Sequence, residues 1–101
     1  MDKTKLTLET WIWAIVQNSG INESFLGQED KENGLRFIPA FYNKDASLMC
    51  INLFQKDESM KFEPQAVIYE DLVTYTKENG YLIFFLDEKG KILEQIDPNT
   101  L

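Results

Sequence analysis

Histidine is absent from this 101-residue chain, and cysteine occurs once, at Cys50. The first absence removes the commonest general base, the commonest metal ligand and the usual pH switch together. It also excludes a Cys–His dyad and a Ser–His–Asp triad. With one cysteine there is no intrachain disulfide, and a lone thiol fits a reducing compartment. Basic residues are scarce: 10 Lys and Arg stand against 17 Asp and Glu, a net charge of −7. That field repels phosphate backbones and anionic bilayers, so neither nucleic acid nor a membrane surface is an expected partner. Long apolar runs are missing too. Trp11–Val16 is too short to span a bilayer and is followed by Gln17 and Asn18. The charged residues Asp2, Lys3 and Lys5 lead into no secretory leader, so the expectation is a soluble cytoplasmic protein of one domain, residues 1–101.

What is present reads as a sequence of elements. Leu8, Trp11, Ile12, Ile15 and Val16 fall at i, i+3, i+4, i+7 and i+8, which predicts an amphipathic helix capped by Thr7 and closed by Gly20. Trp13 lies off that stripe. Asn22 caps a short turn through Leu26, and Gly27–Gly34 reads as a polar surface loop. Leu35–Tyr42 is a strand candidate, with Pro39 demanding an edge, a bulge or a strand end. Between Asp45 and Gln55 two readings compete. Ala46, Met49, Cys50, Leu53 and Phe54 repeat the helical spacing, while Asn43–Lys44 as a hairpin turn would make Ser47–Phe54 a returning strand. The five helical matches favour the helix.

The stretch from Phe62 to Ile96 is the most ordered. Phe62–Tyr69 reads as a strand opened around Pro64, and Glu70–Asn79 as a helix whose acidic start suits the dipole and whose end is Gly80. Tyr81–Leu86 is apolar on both faces, the mark of a central strand covered on both sides or at a dimer contact. Ile92–Ile96 reads as an edge strand after a turn at Gly90, with a loose tail beyond Asp97–Pro98. The predicted fold is α/β or α+β: a small mixed sheet of about four strands with three helices, in the order α-β-α-β-α-β-β. Two β-α-β crossovers should give parallel strands.

Over roughly residues 35–93 the chain resembles the N-terminal domain of the SseB family. The residues that carry the likeness are Phe37-Ile38-Pro39-Ala40-Phe41, Asp45-Ala46, Val67-Ile68-Tyr69-Glu70-Asp71-Leu72, and Gly80 ahead of Ile83-Phe84-Phe85. The strand departs from the family pattern in ending Leu86-Asp87-Glu88 rather than in Asn-Pro. The resemblance implies a fold and no catalytic residues.

No constellation points to catalysis, a cofactor or a metal. Cys50 sits among Met49, Ile51 and Leu53 on the predicted buried face, where a thiol is core rather than nucleophile. The acidic pairs at Glu29-Asp30-Glu32, Asp57-Glu58, Glu70-Asp71 and Asp87-Glu88 lie at loops and helix starts and lack calcium-loop spacing. Lys89-Gly90-Lys91 is not a phosphate loop. Aromatic surplus is the residual signal. Trp13, Phe84 and Phe85, with Glu29, Asp30 and Glu32, form the candidate partner surface. The expectation is a non-catalytic interaction or regulatory module that binds a protein partner or a second copy of itself. The alternative is an acidic inhibitor or immunity-type protein that blocks a basic cleft; a small carboxylate enzyme fits less well.

Overall fold

A computed structural model describes residues 6–18, 22–54, 56 and 59–101. It contains a seven-stranded mixed sheet and two α-helices, in the order β1 (Trp11–Asn18), β2 (Glu23–Phe25), β3 (Gln28–Asp30), β4 (Leu35–Phe41), α1 (Lys44–Cys50), β5 (Lys61–Ile68), α2 (Tyr69–Asn79), β6 (Leu82–Leu86) and β7 (Ile92–Ile96). The mixed α+β character agrees with the sequence reading. The expected four strands and three helices do not.

The first helix is the main correction. Trp11–Asn18 is a strand at the centre of the sheet, paired along its whole length with β5 and, on its other side, with β4 and β2. A continuous apolar run satisfies a helical template by coincidence, because every period finds matches in it. What decides is that Ile12, Ala14 and Val16 are buried on one face while Ile15 is buried on the other. Only a strand covered on both sides does that, and Ile and Val favour it. Leu8 and Trp11, two of the five stripe residues, are exposed. Thr7 still receives a backbone N–H, that of Glu9, but the cap closes a turn rather than a helix. Gly20 lies outside the described residues.

The polar segment before β4 is the second correction. Neither the turn expected at Asn22–Leu26 nor the loop expected at Gly27–Gly34 is free of strand. β2 runs back along β1 (Val16 opposite Phe25), and β3 pairs with the start of β4 (Gln28 opposite Phe37). The two short strands form a wedge between β1 and β4, which pair directly only at Trp13–Phe41 and Ala14–Ala40. Leu26 at the wedge tip is buried, and its N–H donates to the carbonyl of Ile15.

This split also accommodates Pro39. β4 is internal, yet on its antiparallel side β3 serves Leu35–Phe37 and β1 serves Ala40–Phe41. Pro39 stands at the changeover, where a ladder donor is not required. Pro64 lies in β5, whose one partner strand among the described residues is β1, so that proline sits on an outer strand.

The crossovers behave as expected. β4, β5 and β6 all run parallel: β4 and β5 are both antiparallel to β1, and β6 pairs directly and in parallel with β4. The chain moves outward from β4 to β5 and back across the sheet from β5 to β6. Crossovers of one hand in opposite directions put their helices on opposite faces. Accordingly α2 packs with Ile12, Ile38, Ile83 and Phe85 on one face, and α1 packs with Ile15, Phe41, Phe84 and Leu86 on the other.

The segment from 44 to 53 is helical, as favoured. Asn43 caps α1 by accepting the Ala46 N–H at 2.9 Å, and a 3-10 turn, Ile51–Leu53, extends it. Its buried face is Ala46, Ser47 and Cys50, whereas Met49 and Leu53 of the predicted stripe are exposed. α2 follows its prediction closely. Leu72, Val73 and Thr76 are buried, and Gly80 closes the helix in the left-handed region at φ 77°. The tail is not loose: Pro98–Thr100 forms a 3-10 turn capped by Asp97, with Pro98 buried.

Candidate functional site

The six residues proposed from sequence do not form one surface. Phe84 and Phe85 are 1% and 0% exposed and point to opposite faces of β6. Phe85 stacks on Tyr42, and Phe84 stacks on Phe37 with ring centroids 4.3 Å apart. Both are core, because the sheet has helices on both sides and its central strand needs no partner to cover it. Trp13 is half-buried beside α1, with the Lys44 ammonium 5.7 Å from its ring centroid. It lies at the end of β4 remote from β3.

The acidic residues lie on β3 and the turn after it. Asp30 is opposite Leu35 and Glu29 opposite Arg36, so the pleat sends these neighbours to different faces. Asp30 shares the α1 face with Leu35 and Phe37, and its carboxylate accepts the Glu32 N–H at 3.0 Å.

On that α1 face the structure has a groove of about 380 Å³. Its floor is the half-buried Phe37 and Phe54, underlain by the buried Phe84 and Leu86. One end is the β3 segment with Glu29, Asp30, Lys31 and Glu32, and the other is Gly90 and Ile92. The cause is geometric. α1 is seven residues long, about 10 Å, and it packs mainly on β5, β1 and β4. Five strands in a row span about 19 Å between the outer axes. The β6–β7 side of this face therefore stays partly open, with Ile92 42% and Leu53 62% exposed. Leu53 belongs to the same end of the groove, since a Cβ on Gly90 would come within 3.2 Å of its methyl group.

Ile92 reaches this face through a β-bulge. Glu94 is opposite Phe85 and Ile96 opposite Ile83, both on the α2 face. After the bulge between Phe85 and Leu86, Ile92 is opposite Leu86 and on the α1 face. An unbroken alternation of Ile92, Glu94 and Ile96 would have put all three together, so nothing in the sequence signalled the switch. Phe54 and Phe37, which line the groove, were likewise legible only as apolar residues.

A larger depression of about 610 Å³ lies by the wedge, lined by Gly27, Gln28, Glu29, Lys31, Arg36 and Tyr81. Its side chains already engage one another: the Arg36 guanidinium lies 4.4 Å above the Tyr81 ring, which stacks on Tyr75.

The reactive groups are structural. Cys50 is fully buried, and its thiol donates to the Asp87 carbonyl at 3.1 Å. Burial, and the nearby Asp87 and Glu88 charges, push that thiol up, away from the thiolate a nucleophile needs. The Asp87 carboxylate accepts the N–H groups of Lys91 and Lys89 at 2.9 and 2.8 Å, which holds it below the usual carboxylate range. Tyr42 donates to Glu94. Among the described residues no three Cys, Asp or Glu side chains gather as metal ligands would, and no helix is long and apolar enough to cross a membrane. Asp57 and Glu58 lie outside the described residues.

Set against protein-family models, curated proteins and solved structures, the chain matches none. The SseB resemblance rests on the residues quoted for it.

Proposed function

We propose that this chain is a non-catalytic interaction module that binds a protein partner through the groove on the α1 face. The observation that carries the reading is the open half of that face. Phe37, Phe54 and Ile92 form an apolar surface that the chain's own short helix does not reach. Apolar surface left contiguous in this way is what partner surfaces use. Enzymatic chemistry has less support, since the one thiol is buried with a raised pKa and the Tyr42–Glu94 phenol–carboxylate contact is tied up within the fold.

The test is site-directed photocrosslinking in the producing cell, with the photoreactive residue at position 92 or, as control, at exposed Lys77 on α2. The expected result is a discrete protein adduct from position 92, lost when Leu53→Glu is added, and none from position 77. The same adducts from both positions, or none from position 92, would overturn the reading. The inhibitor reading is supported by the net charge of −7. It expects affinity to fall steeply with salt, whereas docking dominated by the apolar floor is nearly salt-independent.

A further inference from the structure

We infer that the groove takes one short extended segment of a partner protein, with Lys or Arg at one end and an aliphatic or aromatic anchor at the other. This deepens the reading above and rests on it. The groove is chemically polarised. Its β3 end carries the Asp30 carboxylate, followed in the turn by Lys31 and Glu32. Its β7 end offers Ile92 and, across Gly90, Leu53, both exposed and apolar. Between them the half-buried rings of Phe37 and Phe54 form an uncharged floor, with Phe84 buried beneath Phe37.

The strand register sets the length of the occupant. From β3 to β7 the path crosses β4 and β6, three strand spacings, and Asp30 is level with Leu35 whereas Ile92 is level with Phe41. Spacings of about 4.8 Å, with a stagger of about six residues at 3.3 Å each, separate the two ends by about 24 Å. An extended chain covers that in about seven residues. Charge selects among possible occupants. A second copy brings another −7 and a nucleic acid brings phosphates, and the acidic end repels both. A basic segment is attracted, and its ammonium or guanidinium groups meet carboxylates at the rim, where solvent access keeps desolvation small.

The experiment is fluorescence anisotropy with labelled synthetic peptides. Each joins a Lys-Arg-Lys block to a Leu-Phe anchor through a Gly-Ser spacer of graded length, and one further peptide carries the anchor alone. The expected result is an affinity optimum near a spacer of about five residues, about tenfold above the anchor-only peptide. The double variant Asp30→Lys, Glu32→Lys removes that tenfold gain, Ile92→Asp abolishes binding of both peptides, and Lys77→Glu changes nothing. All of these positions are surface sites, and an unchanged melting temperature confirms folding of each variant. If the anchor-only peptide binds as well as the basic ones, the polarised segment is overturned. The groove reading then survives only where Ile92→Asp still abolishes binding. If no peptide binds, or Ile92→Asp leaves every affinity unchanged, the proposed occupant is wrong. Position-specific crosslinking at residue 92 then decides separately whether the groove reading falls too.

Discussion

Gly27 lies directly against the ring of Tyr81: a Cβ at position 27 would sit 2.9 Å from both Cε1 and the phenolic oxygen. The contact locks the tip of the β2–β3 wedge to the start of β6. It sits under a stack in which Arg36 covers Tyr81 and Tyr81 lies parallel to Tyr75, which meets Phe25 edge-on at 4.9 Å. A methyl group here has no room unless the ring moves. Gly27→Ala is expected to cost about 1 kcal/mol, the low end of the range for overpacking, because the half-buried ring end can shift. In a Tyr81→Leu background the same change costs less. Denaturant unfolding of the four proteins of this cycle measures the coupling, and additive costs would show that the ring does not oppose the methyl.

Phe84 and Phe85 are core residues on opposite faces. Phe84→Ala and Phe85→Ala should each lose about 3–5 kcal/mol of stability, because each ring is buried and its removal leaves a cavity. Urea unfolding checks this. A surface aromatic reserved for a partner would instead unfold at the wild-type midpoint.

Cys50 should be inert in the native state. Its thiol is buried, hydrogen-bonded to the Asp87 carbonyl and raised in pKa by its burial. Labelling with a disulfide reagent at mildly alkaline pH is expected to follow unfolding, rising with urea as the fold opens. Rapid labelling without denaturant would contradict the assigned burial.

Tyr42 links the end of β4 to β7 through its bond to Glu94. Burial, that hydrogen bond and the carboxylate's charge raise its phenol above the ordinary value of 10.0. Above that value the unfolded chain releases a proton that the folded chain keeps. The stabilisation is therefore complete below pH 10 and is lost as pH rises towards the folded value. Tyr42→Phe should cost about 1 kcal/mol at neutral pH and make the alkaline decline shallower. Tyr69 and Tyr75, raised chiefly by burial, keep some of that decline. Melting curves between neutral pH and strongly alkaline pH test the slope.

Asp87 gives the opposite sign. The Lys91 and Lys89 N–H groups stabilise its ionised form, so its contribution is full at neutral pH and fades as pH falls through the depressed folded value. Asp87→Ala should open the 87–91 turn. Faster amide exchange at Lys89 and Lys91, with α2 unchanged, is the expected readout; uniform acceleration would mean the turn is not local.

Much of the second half was readable from local signals. The acidic first turn of α2 and Gly80 at its end are chemical marks that act within a few residues, and β6 announced its two-sided burial by having no polar face. The first half misled because its signals were ambiguous. The run Trp11–Val16 fits two periods, and β2 and β3 are three residues each, too short to show any period. Their pairing comes from the gap between β1 and β4, which no neighbour in the chain announces.

The groove shows the same division. By itself the sequence determined that the chain is acidic, lacks histidine, and carries a strand that must be covered on both sides, because these follow from composition and from the identity of consecutive residues. Only the tertiary structure decided where apolar surface remains open. That depends on the length of α1 against the width of the sheet and on a bulge that turns Ile92 to the α1 face, and both are relations between residues far apart in the chain.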